Sequence, residues 1–177
     1  MTVARTPDLW ALQREVDALA RRVEQIDSIE AIRALRARYH ELVNEDAGNR
    51  LHELFSPGAA VSYGGRPEVR GRENIRAFFA SFPVQSARQF IHSHVVQVEG
   101  DRGKGCSYLD GRPVRDGKSF YVVGRFDDEY VRLDGQWLFQ RVTLSVHYMI
   151  EASERWDHLI PLPASPSTAA PAQVGAE

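Results

Sequence analysis

The sequence predicts an α+β domain, with helices packed on one face of a strongly curved antiparallel sheet. Three observations carry that prediction. Apolar residues recur at helical spacing as far as Phe82, they alternate at strand spacing from Gln89 to Met149, and Asp-Gly pairs punctuate the alternating half. Helices first and a strand meander afterwards is the order of an α+β fold.

At the N-terminal end, Leu9, Leu12, Val16, Leu19, Val23 and Ile26 stand 3, 4, 3, 4 and 3 residues apart, the period of a helix with a single apolar seam. Thr6 supplies an N-cap, and Pro7 suits a first helical position that needs no backbone donor. The phase of the seam breaks at Asp27-Ser28. Asp27 followed by Glu30 reads as a fresh cap, and Ile32, Leu35, Tyr39 and Leu42 continue on a shifted face, so two consecutive helices are expected. The first seam either packs on its own domain or pairs with a second subunit as a short coiled coil, and fewer than three heptads leave both open.

A further amphipathic helix follows Gly71, with Ile75, Phe78, Phe79 and Phe82 on one face and Pro83 ending it. The period then changes to two. Strands are expected over Gln89–Glu99, Cys106–Val114, Ser119–Leu133 and Gln136–Met149, with turns at Gly100-Asp101, Asp110-Gly111, Asp116-Gly117 and Asp134-Gly135. Pro161, Pro163, Pro166 and Pro171 sit among Ala, Ser and Thr with no aromatic anchor, so the chain from about 161 is expected to be disordered. The organisation predicted is a helical extension over 1–28, a domain over 29–150 and a C-terminal extension over 151–177.

Composition narrows the function classes. With 177 residues, 43% of them hydrophobic, the chain suffices for one well-buried domain. Its 22 Lys and Arg against 24 Asp and Glu leave no positive excess for a phosphate backbone, so nucleic acid is not expected as a partner. The lone cysteine, Cys106, precludes an intrachain disulfide and a cysteine-rich zinc site, and it fits a reducing compartment. No run approaches the roughly 18 apolar residues of a membrane span, and residues 1–7 lack a signal-peptide core. A cytoplasmic protein with no membrane partner is expected.

Most standard chemical motifs are absent. Gly100, Gly103 and Gly105 have neither the spacing nor the strand-to-helix setting of a phosphate loop, and there is no Gly-x-Ser-x-Gly elbow. With no nicotinamide, flavin or metal motif, a cofactor-independent site is expected. His92 and His94 share one strand face, opposite Gln89, Ile91 and Ser93, and no third ligand accompanies them as a metal site would require. Asp127-Asp128-Glu129 reads as a solvated strand edge, with Asp128 turned away from its neighbours. Period-two counting puts Arg141 and His147 on the face of Trp137 and Phe139, provided no bulge intervenes.

In their order these segments resemble a known family. Ile32-x-x-Leu35-x-x-x-Tyr39, Leu54-Phe55, Tyr63, Gly71-Arg72-Glu73-Asn74-Ile75 and Phe78-Phe79 are followed by Val96-Gln97-Val98-Glu99-Gly100-Asp101 and Tyr108-Leu109. Gly124-Arg125-Phe126-Asp127-Asp128-Glu129 and Asp134-Gly135-Gln136-Trp137-Leu138-Phe139 complete the series. The whole resembles the SnoaL-like branch of the nuclear transport factor 2-like (NTF2-like) superfamily.

The resemblance implies a cone, with a bent sheet wrapped around helices, an apolar pocket at the wide end and a homodimer through the sheet. Family enzymes include polyketide cyclases, scytalone dehydratase, bile-acid dehydratase and a dehydrochlorinase. They work through an Asp–His pair, the His acting as base while the Asp fixes its tautomer. Counting from Tyr39 and from Phe55, the family aspartate position holds Asn44; counting back from Gly100, the histidine position holds Gln89. Carboxamides hydrogen-bond but exchange no proton near neutrality.

The catalytic residues expected on this resemblance are Tyr39, Asn44, Gln89 and Arg141. The substrate-contacting residues expected are Phe55, Tyr63, Phe79, Ile91, Tyr108, Phe126, Phe139 and His147. The ligand implied is a small apolar or polycyclic organic molecule. Three readings remain open: catalysis of a cyclisation, isomerisation or dehydration by orientation and polarisation; a non-catalytic binding or dimerisation module; or a slipped register in which Glu45 or Asp46 and His92 take the family roles.

Overall fold

A single helix, α1 (Leu9–Asn44), runs through the expected break without interruption for 36 residues. The computed structural model describes residues 9–82, 84 and 86–153. Thr6, Pro7, Pro83 and the segment beyond 161 therefore lie outside the described residues.

Asp27 caps nothing, and Ser28 is buried in mid-helix. The phase shift there marks a change of partner. Up to Ile26 the apolar seam is 49–76% exposed, whereas from Ser28 onward the opposite side turns inward, burying Ile32, Arg36, Tyr39 and Leu42. At roughly 100° per residue the two stripes lie on nearly opposite sides of one cylinder.

After a 3-10 segment (Gly48–Leu54), the chain forms β1 (Phe55–Tyr63), β2 (Val69–Arg70), α2 (Arg72–Ala80), β3 (Ser86–Glu99), β4 (Arg102–Arg115), β5 (Lys118–Leu133) and β6 (Gln136–Glu151). The sheet order is β2-β1-β6-β5-β4-β3. Strands β3 to β6 form the expected antiparallel meander, while β1 joins β6 in parallel. Two of the expected Asp-Gly turns are present, at Asp116-Gly117 and Asp134-Gly135, where both residues take positive φ as tight hairpins require. Asp110-Gly111 instead lies inside β4, Gly111 pairing with Gln89 on one side and Val122 on the other.

Three bulges in the antiparallel meander bend the sheet and reset which side chains face the helices. Ser93, at φ 53°, sits in the first, between the pairs His92↔Tyr108 and Val95↔Cys106. Gln140 is the extra residue between Glu129↔Arg141 and Tyr130↔Phe139, and His147 is the extra residue between Gly124↔Val146 and Val123↔Tyr148.

On the inner face, Ile32, Phe55, Ile75, Phe126, Phe139 and Val142 are fully buried between the sheet, α1 and α2. Each contributes on the order of 1.5–3 kcal/mol. Gly103 lets α1 lie against the sheet, since a Cβ there would stand 2.8 Å from the Ile32 side chain. No helix among the described residues is long and apolar enough to cross a membrane.

Candidate active site

The C-terminal half of α1, the 3-10 segment, α2 and the open end of the sheet enclose a cavity of about 310 Å³. Its wall is mostly apolar, with Leu51, Phe79, Phe82, Leu109, Val122 and Leu144 among the lining residues, and Tyr39, Tyr63 and Gln89 add polar groups. Asp46 and Arg66 also line it. Asp46 pairs with Arg88 at 3.2 Å, and the Arg66 guanidinium lies over the Phe82 ring.

Tyr39 and Tyr63 meet hydroxyl to hydroxyl. The spacing of Ile32, Tyr39 and Leu42 on α1 turns Tyr39 into the core, where the rings of Phe79, Phe126 and Phe139 meet it edge-on at 5.8–6.3 Å. Burial pushes the Tyr39 phenol up to about 12, and burial raises that of Tyr63 as well. Both are therefore hydrogen-bond donors, not bases, across the neutral range.

Asn44 ends α1 against β3, the last strand of the sheet. The Gln89 amide donates to Asn44 Oδ1 at 2.6 Å, and Asn44 Nδ2 donates to the Gln89 carbonyl at 3.0 Å. The carboxamide thus acts as a one-residue strand that satisfies a free sheet edge. The Gln89 side chain turns to His40, Oε1 lying 3.0 Å from Nδ1. Burial, reinforced by the Arg36 charge, brings the His40 imidazolium down to about 3, so the ring is neutral at pH 7.

Beneath this layer Arg36 and Asp128 form an ion pair with side chains 1% and 0% exposed. The Tyr130 hydroxyl donates to Asp128 Oδ2 at 2.8 Å and lies 3.3 Å from His94 Nε2. The Arg36 guanidinium stacks over Phe126, Phe139 and Tyr39 at 4.4, 4.6 and 4.9 Å. The solvated edge expected for Asp128 is thus a buried charge; Asp127, one residue away, does face outward and pairs with Arg125. The bulge at Ser93 turns His94 inward and leaves His92 exposed, so the two do not share a face.

Residues 24–143 match the family model of the SnoaL-like domain. The chain belongs to the SnoaL-like family.

Several solved structures share the fold. A candidate scytalone dehydratase from Novosphingobium aromaticivorans is 18% identical, with a TM-score of 0.64 over 73% of this chain and 91% of its own. The hexachlorocyclohexane dehydrochlorinase LinA-type3 from Novosphingobium barchaimii is 19% identical, with a TM-score of 0.66 over 84% and 99%. An NTF2-like protein from N. aromaticivorans is 22% identical, with a TM-score of 0.60 over 73% and 88%.

Within this SnoaL-like domain the residues expected at the site separate into three groups. Tyr39, Tyr63, Phe79 and Gln89 line the cavity, with Asn44 directly behind Gln89. Phe55, Phe126 and Phe139 are fully buried in the core, and Ile91 packs against that core, outside the cavity wall. Arg141, Tyr108 and His147 are directed elsewhere. The Gln140 bulge turns Arg141 away from Phe139 to pair with Glu68. Tyr108 and His147 meet on the outer face, with ring centroids 6.4 Å apart.

The slipped pair is also not brought together, since Asp46 lines the cavity while His92 faces outward. His40 was not singled out by sequence, and Asp128 was expected only as part of a solvated edge. Their only signal was a polar residue at an inward position of a periodic element.

Proposed function

We propose that this SnoaL-like protein binds a small apolar or polycyclic organic molecule in the cavity and catalyses its cyclisation, isomerisation or dehydration, without a cofactor and without an Asp–His pair. The observation that carries this reading is the Tyr39–Tyr63 hydroxyl pair set in an apolar wall. Cavities of this size and polarity are ordinary small-molecule sites.

The chemistry follows from the groups present. Tyr39, protonated throughout the neutral range, donates to a substrate oxygen on which negative charge develops, and Tyr63 fixes the direction of its O–H. One such donor is worth on the order of 10²–10³ in rate. Asp46, the one carboxylate in the wall among the described residues, is the proton acceptor this reading assigns. Gln89, held from behind by Asn44, shapes the wall, and neither moves a proton.

The alternative is a non-catalytic ligand-binding module. It is favoured by the engagement of Asn44 with the strand backbone and of Gln89 with a neutral histidine. The two readings separate in a screen against polycyclic phenols and aryl ketones. For a catalyst, Tyr39→Phe lowers turnover about 10²–10³-fold while affinity changes less. Losses confined to affinity support the binding module.

The outer face of the sheet carries Phe90, Tyr108, Tyr148 and Ile150, each 44–54% exposed. We assign this face to the homodimer that the family resemblance implies. Tyr148→Glu is expected to weaken that dimer in sedimentation.

A further inference from the structure

The first half of α1 carries a surface that the domain leaves uncovered. Leu9, Leu12, Val16, Leu19, Val23 and Ile26 are each 49–76% exposed, although their spacing is the strict alternation of heptad a and d positions. We propose that this seam is the interface of a parallel, two-stranded coiled coil between two copies of the chain.

Four observations select a second copy in that arrangement. First, the a positions hold Leu9, Val16 and Val23 and the d positions Leu12, Leu19 and Ile26, and β-branched residues at a with leucine at d favour parallel dimers. Second, the flanking charges complement themselves. In the parallel register Arg22 at g faces Asp27 at e of the partner, and the other such pair within residues 9–27, Glu15 with Ala20, sets no like charges together. Neither Arg22 nor Asp27 is engaged in an ion pair within the described residues.

Third, residues 9–26 contain three basic and three acidic side chains, so the polar face lacks the positive excess that would hold an amphipathic helix on a membrane surface. Fourth, the seam and the buried stripe of α1 lie nearly opposite one another, so pairing places the two domains on the outer sides of the coiled coil. Eighteen residues make a marginal coiled coil as a free peptide. Here the helix is already held by its packed second half and by the Arg132–Glu24 bridge at 3.0 Å, so nucleation imposes no further cost on pairing.

The test uses the full-length chain in sedimentation and light scattering. In a Tyr148→Glu background, where the sheet face no longer joins copies, Val16→Glu with Leu19→Glu is expected to halve the particle mass while the thermal transition of the domain is unchanged. An unchanged mass, or a full-length chain that is already monomeric at high micromolar concentration, overturns the proposal. Arg22→Asp alone is expected to weaken the association, and Asp27→Arg added to it to restore the mass; no restoration refutes the charge register.

In a Cys106→Ser background, Leu9→Cys is expected to cross-link covalently under mild oxidation. A particle of undiminished mass that fails to cross-link refutes the parallel orientation. If deletion of residues 154–177 raises the mass, the C-terminal segment covers the seam and a second copy does not.

Discussion

Replacing Asn44 by aspartate places the family's residue type into a setting built for a carboxamide. In the native protein one side-chain atom accepts from the Gln89 amide at 2.6 Å and the other donates to the Gln89 carbonyl at 3.0 Å. A carboxylate keeps the first contact and sets an anionic oxygen against the carbonyl where a donor stood. The cost of a desolvated, unpaired carbonyl is about 1–3 kcal/mol. Asn44→Ala loses both bonds, at ~0.5–1.5 kcal/mol each, and gives a similar total.

What separates the two variants is pH. A protonated acid regains the donor, so the introduced carboxyl has a folded pKa raised above its unfolded value of about 3.9; a 2 kcal/mol penalty corresponds to a rise of about 1.5 units. Asn44→Asp should therefore match the native protein below about pH 4 and fall behind as pH rises, with the full loss present above about pH 6. Asn44→Ala should show a constant deficit. Urea unfolding followed by far-UV circular dichroism from pH 4 to 8 measures the differences. An aspartate variant as stable as the native protein at pH 7, or a gap that widens in acid, refutes this account of the edge contact.

Other outcomes test the surrounding groups. His40 stays neutral in the fold until about pH 3, whereas the unfolded chain protonates it near 6.5. Its contribution is present above pH 6.5 and is lost as pH falls, at up to about 1.4 kcal/mol per pH unit, so His40→Gln should flatten the stability profile between pH 6.5 and 4. Parallel profiles would contradict the burial of a neutral ring.

Asp128→Asn leaves Arg36 buried without its counter-charge, and a loss of about 3–5 kcal/mol is expected in denaturant unfolding. Arg141→Ala removes a partly exposed pair with Glu68, so stability should change by about 0–1 kcal/mol and the affinity of a cavity ligand not at all. A clear fall in that affinity would return Arg141 to the site.

The order of elements was legible because each element keeps one period over many residues, and the same holds for Tyr39, whose helical spacing and family context agree. Strand β1 was not, since Pro57-Gly58 and small residues interrupt its alternation and its partners in β6 lie 81–84 residues further along. The continuous α1 was misread for an instructive reason. A shift in apolar phase carries the same sequence signature whether a helix ends or merely changes what it packs against.

Bulges were the larger loss. One extra residue at Ser93, Gln140 or His147 costs no hydrophobic residue, yet it reverses every facing beyond it, and so Arg141, His147 and His94 each face the side opposite to the one that alternation assigned. Gln89 and Ile91, which precede the first bulge, kept their inferred orientation.

Because one uninterrupted helix joins the exposed seam to the wall of the cavity, length there acts as an angle. A flexible connection would absorb an inserted residue, but near Ser28 a single insertion rotates the seam by about 100° about the helix axis relative to Tyr39 and Asn44. Seven inserted residues, close to two full turns, return it to within about 20°. Chains of this design should therefore vary in length at this point by heptads, and a protein fused ahead of Leu9 in unbroken helix would be carried at a bearing set by residue count.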